Sequence, residues 1–129
     1  ILFLIIYINW PTVISYGNKY LCLSISFSNL EFVEPISKNY DDVFPFIYVV
    51  RINNDQREPL RNFLNKNGVE THVHWAPIHW YNMYQPDKIS DMSVTNTAGM
   101  EVLTLPLHSC MAEGDSNYVI NSIREYFNQ

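Results

Sequence analysis

The stretch from Phe46 to Trp75 constrains the fold most, because it reads as strand, helix, strand with both helix ends marked. Phe46-Ile47-Tyr48-Val49-Val50-Arg51-Ile52 is rich in β-branched and aromatic side chains, which suit a pleated, half-buried surface. Asn53-Asn54 ends that strand. Asp55 and Glu58 then stand at capping-box spacing, and Pro59 is tolerated in a first helical turn. Leu60, Phe63 and Leu64 form one apolar stripe, Lys66 complements the negative helix end, and Gly68 supplies a left-handed cap. Val69 to Trp75 is expected to return as a second strand.

Downstream, Ala76 to Asp91 reads as a loop with Pro77, Pro86 and many aromatics. Ser93 or Thr95 could cap a short helix carrying Ala98, Met100 and Val102. Leu103 to Leu107 reads as a third strand, with Pro106 suited to a sheet edge. A last helix is expected from Asp115 to Phe127, with Val119, Ile120, Ile123 and Phe127 as its buried stripe. This order implies an α/β (α+β) fold, a small sheet with helices on one face.

The segment before this pattern is different. Residues 1–42 are assigned no definite structure, and residues 43–129 carry the domain. Lys19 is the one charged side chain in residues 1–30, and the mostly apolar start breaks at Pro11. A membrane span needs about 20 mostly apolar residues, and a secretory signal needs a basic start that is missing here. A strand, a truncated piece of something larger such as a remnant of a domain junction, a signal or anchor, and an artefactual stretch are the readings kept for it.

Composition narrows the function classes. Charged residues are 16% of the chain, against roughly 25% in soluble domains, and aromatics are 15%. Disorder is therefore excluded as a description of the whole. Eight Lys and Arg against 13 Asp and Glu give a net charge of −5, with no basic stripe for nucleic acid. Cys22 and Cys110 have no CxxC partner, which points to a reducing, cytoplasmic setting. Glycines at positions 17, 68, 99 and 114 cannot form a phosphate-cradling Gly-rich motif.

Chemistry concentrates in Thr71-His72-Val73-His74-Trp75-Ala76-Pro77-Ile78-His79-Trp80-Tyr81. On a strand, His72 and His74 share a face. Three readings stay open for these histidines. They could hold zinc together with His79; they could line a pocket for a polar ligand; or they could be satisfied side chains at a partly buried edge. His108 follows the third strand, and a Cys110–His108 dyad is conceivable but rare between such close neighbours.

Residues 43 to 127 also resemble the carboxy-terminal small domain of the DegT/DnrJ/StrS sugar-nucleotide aminotransferases. The matching blocks are Arg57, Leu60 and Leu64; then Gly68-Val69-Glu70-Thr71-His72-Val73-His74-Trp75-Ala76-Pro77-Ile78-His79; then Leu103-Thr104-Leu105-Pro106-Leu107-His108, with Tyr118-Val119-Ile120 in the last helix. Trp80-Tyr81-Asn82 departs from the Leu-x-Pro often found there. The resemblance implies the fold of the small domain of fold-type-I enzymes. It implies pyridoxal phosphate (PLP) in the intact enzyme and amino transfer from an amino acid such as glutamate to a keto-sugar nucleotide. It implies a homodimer of the intact protein; the charge balance and the broken apolar start, for their part, point to no nucleic acid or membrane partner. His74 and His79 become candidate substrate-side residues, with Trp75 and Pro77 shaping their loop. The Schiff-base lysine belongs to the family's large domain, so no residue here is assigned as catalytic, cofactor-binding or metal-binding. The chain alone is expected to be an inactive part of such an enzyme. The rival expectation is a stand-alone domain that binds a nucleotide sugar or a protein.

Overall fold

The computed structural model describes residues 27, 31–35, 47–53, 55–84, 91–108, 110–112 and 114–128. The expectations for most of residues 1–42, for Phe46 and for residues 85–90 lie outside them. Three strands, β1 (Val33–Pro35), β2 (Tyr48–Ile52) and β3 (Val102–Leu105), form an antiparallel sheet in the order β1-β2-β3. The α-helices whose bounds lie among the described residues are α1 (Arg57–Lys66), α2 (Ser93–Glu101) and α3 (Asp115–Phe127).

Register follows from the alternation of side chains. Tyr48 pairs with Leu105, Val50 with Leu103, and Val33 with Ile52, which puts all six on one face. That face is covered by α1 and α3. Leu60, Leu64 and Ile123 are fully buried against Tyr48, Val50, Ile52 and Leu103. Each such side chain contributes about 1.5–3 kcal/mol through burial. Phe27 joins this core, its ring centroid 6.1 Å from that of Tyr48.

On the other face, Arg51 pairs across the strands with Glu34 and Val102. Its guanidinium Nε donates to Glu101 at 3.0 Å, at the end of α2. That hydrogen bond, and then the charges of Glu101 and Glu34, hold Arg51 above its ordinary value. The contact fixes where α2 hands over to β3.

Helix ends depart from the sequence reading in two places. Asp55 does not cap α1: it lies in the left-handed region at φ 56°, and the cap position is Gln56. The reason is a turn in which the Gln56 N–H donates to the Asn53 carbonyl, so the helix begins one residue later. Glu58 instead accepts from Arg57 and Arg61. In α2, Ser93 is the first helical residue rather than the cap, Thr95 lies inside the helix, and Val102 already belongs to β3. There the Ser93 N–H donates to Asp91 Oδ1 at 2.9 Å.

The C-terminal end of α1 is as expected. Gly68 has φ 75°; its N–H donates to the Asn65 carbonyl and that of Val69 to the Leu64 carbonyl. These two hydrogen bonds close the helix and carry Val69 into the core.

Val69 to Trp75 is not a full strand. It makes a single bridge, His72 with Thr104, with N···O distances of 3.1 and 2.8 Å. Pairing cannot extend because Trp75 adopts φ 50°, which turns the chain away from β3. Leu103 to Leu107 likewise stops short as a strand at Leu105, just before Pro106.

Candidate functional site

The histidine segment is held at three points. Near its start, Thr71 is buried beside Asn65 of α1, Oγ1 to Oδ1 3.4 Å. At its middle, the His72 backbone pairs with Thr104, and His74 Nδ1 lies 2.8 Å from Thr104 Oγ1. At its end, Ile78–Trp80 forms a 3₁₀ turn whose Trp80 N–H donates to the Pro77 carbonyl at 2.9 Å.

That turn docks on α2. Asn96 Oδ1 lies 2.7 Å from both His79 Nε2 and Trp80 Nε1. One helical turn on, Gly99 is buried under the ring of Pro77. A Cβ there would lie 2.5 Å from Pro77 Cγ and 3.0 Å from Trp80 Cη2. Arg57, in the first turn of α1, donates to the Gly99 carbonyl and completes the joint. The left-handed turn leaves Trp75 76% exposed, and Tyr81, Met83 and Tyr84 are exposed beyond the 3₁₀ turn.

The two candidate histidines are therefore placed differently. His74 lines a cavity of about 480 Å³ with His72, Thr104, His108, Asp115 and Tyr118. His72 and His74 point to the same side, ring centroids 5.7 Å apart, even though their strand is incomplete. His79 is not among that cavity's lining residues; it stands on α2 with Trp80. Among the described residues, no group of three or more His, Cys, Asp or Glu could hold a metal ion. No helix among them is long and apolar enough to cross a membrane.

Asn96, Gly99 and Thr104 anchor the segment but were not visible as such in the sequence. The one available signal was the Asn96–Gly99 spacing, which puts a polar and a small residue on the same side of a helix.

A sequence profile of the DegT/DnrJ/EryC1/StrS aminotransferase family matches residues 19–124. No curated protein matches the chain. Among solved structures, the chain is similar to an aminotransferase, TlmJ, from Streptoalloteichus hindustanus. Identity is 20% and the TM-score 0.74, over 90% of this chain and 32% of that one. DesV of S. venezuelae, solved with a ketimine intermediate, gives 20% identity and a TM-score of 0.75, over 88% of this chain and 31% of that one. Helicobacter pylori PseC, an aminotransferase of pseudoaminic acid biosynthesis, gives 15% and 0.74, over 90% and 33%. These likenesses show the fold, and the chain spans about a third of the length of each relative. The α/β fold expected from the sequence is thus the one observed, and the chain belongs to the DegT/DnrJ/EryC1/StrS aminotransferase family.

Proposed function

We propose that the chain is part of a PLP-dependent aminotransferase that moves an amino group from an amino acid, glutamate first among candidates, to a keto-sugar nucleotide. Such a reaction serves polysaccharide or amino-sugar biosynthesis. Residues 43–129 are its small C-terminal domain, and His74, Trp75, Pro77 and His79 face the substrate. The intact enzyme is a cytoplasmic homodimer, and the 129-residue chain alone is inactive.

The observation that carries this reading is the family match over residues 19–124, which includes the whole histidine segment. A similar solved structure supports it: Spr1654 from Streptococcus pneumoniae, described as a putative sugar aminotransferase, was solved in PLP and PMP forms. The local geometry fits a recognition role. The segment is pinned at Thr104 and Asn96 while Trp75 stays exposed, so aromatic and imidazole groups are presented on a fixed base.

We assign the PLP site to residues other than those described. Lys66 is the one lysine among the described residues, exposed in the last turn of α1 and outside the cavity that His74 lines. PLP would supply the electron sink for amino transfer. Its lysine is assigned to chain beyond the residues described, and no step is derived through it.

The test is transfer of label from ¹⁵N-glutamate to a keto-sugar nucleotide by the polypeptide translated from the complete reading frame containing these residues. PLP-dependent label in the sugar supports the reading. Calorimetric binding of a sugar nucleotide by the 129-residue chain, with no transfer by the complete product, favours the non-catalytic binding domain.

A further inference from the structure

Asn96 sits where one atom must accept two hydrogen bonds. The Trp80 indole nitrogen is only a donor, so the Asn96 side-chain atom 2.7 Å from it is the oxygen and not the amide nitrogen. His79 Nε2 lies 2.7 Å from that same oxygen. An amide oxygen cannot donate, so Nε2 must carry a proton. A neutral imidazole has one N–H and one bare nitrogen, which leaves Nδ1 bare. Nδ1 has no hydrogen-bond partner among the described residues.

We propose that Asn96 is a positioning residue that fixes His79 as the Nε2–H tautomer, so that Nδ1 accepts a hydrogen bond from a hydroxyl of the ligand. The Nε2 proton follows from donor and acceptor identities, and a bare Nδ1 follows from it in the neutral ring; the ligand hydroxyl rests on the substrate-side reading of the segment. The ligand chemistry follows from the bare nitrogen. A lone pair attracts a sugar hydroxyl or an amine and repels a phosphate oxygen. His79 on this base therefore reads the sugar end of a sugar nucleotide and not its diphosphate. Gly99 supports the arrangement, because its missing side chain lets Pro77 and Trp80 lie close enough to α2 for both bonds to form.

The test is long-range ¹H–¹⁵N correlation of the histidine rings in the 129-residue chain, under alkaline conditions where imidazoles are neutral. The expected result is a single His79 form protonated at Nε2. Asn96→Leu should convert it to a mixture of tautomers, and Asn96→Asp, which keeps an acceptor oxygen, should restore the single form. A His79 protonated at Nδ1 or already mixed in the unsubstituted chain overturns the proposal, as does an unchanged form in Asn96→Leu. The unsubstituted readout decides even should Asn96→Leu fail to fold. Titration with a sugar nucleotide should shift His79 Nδ1, while the matching nucleoside diphosphate should not; the reverse overturns the hydroxyl assignment. A sugar nucleotide that shifts no signal overturns the hydroxyl assignment, while the tautomer still decides the role of Asn96 and label transfer by the complete product still decides the proposed function.

Discussion

Gly99→Ala is the substitution whose sign the structure decides against helix propensity. Gly99 lies inside α2, where alanine is favoured over glycine by about 1 kcal/mol. Propensity alone predicts stabilisation. The added Cβ, however, would stand 2.5 Å from Pro77 Cγ and 2.7 Å from Pro77 Cδ. These are ring atoms and cannot swing away as the end of a flexible side chain could. Overpacking of this kind costs about 1–3 kcal/mol. The net is a destabilisation of about 1 kcal/mol, with the Pro77–Trp80 turn pushed off α2. With a urea slope of about 1–3 kcal/mol per molar, the midpoint should fall by about half a molar. Pro77→Ala removes both ring atoms, so in that background Gly99→Ala should recover most of the propensity gain and stabilise. The double-mutant cycle should then show a coupling of about 1–2 kcal/mol. The Trp80 indole resonance, monitored by ¹⁵N labelling, should move in Gly99→Ala alone. Stabilisation by Gly99→Ala equal in both backgrounds, with the Trp80 signal unmoved, refutes the docking of the turn on α2.

Three further outcomes are expected. Leu64→Ala removes a fully buried side chain between α1 and the sheet and should cost about 2–5 kcal/mol by urea unfolding. Gly68→Ala meets nothing within 4 Å, so its cost is the left-handed backbone alone, about 1–2 kcal/mol in the same assay. Asp91 is held below its ordinary value of 3.8 chiefly by the Ser93 backbone N–H, then by the Ser93 side chain. Its support of α2 is therefore fully present above that pH and is lost as pH falls through the lower folded value. Amide exchange at residues 93–96 should accelerate over that acid range, and Asp91→Ala should abolish the step.

The parts of the fold that local pattern controls were legible. The span of α3 from Asp115 to Phe127 and the closure of α1 at Gly68 follow from periodicity and from one residue that tolerates positive φ. Local pattern misled where a competing turn decided the outcome. Asp55 and Glu58 have the spacing of a capping box, but the Asn53–Gln56 turn moved the helix start. Val69 to Trp75 has strand composition, yet the turn at Trp75 limits it to one bridge with Thr104. At the site, the alternation of His72 and His74 was readable and their shared cavity bears it out geometrically. The docking of His79 and Trp80 on Asn96 joins segments 16 and 17 residues apart, and no spacing rule connects a loop to a helix face at that separation.

The most direct measurement is the Michaelis constant for each substrate in the product of the complete reading frame, with His79→Ala and Trp75→Ala beside the unsubstituted protein. Both substitutions should raise the constant for the keto-sugar nucleotide about tenfold or more, the loss of one or two good contacts. The constant for glutamate and the cofactor absorbance should stay as they were. Unchanged constants for both substrates, or a loss confined to glutamate, would contradict a substrate-side role for this segment.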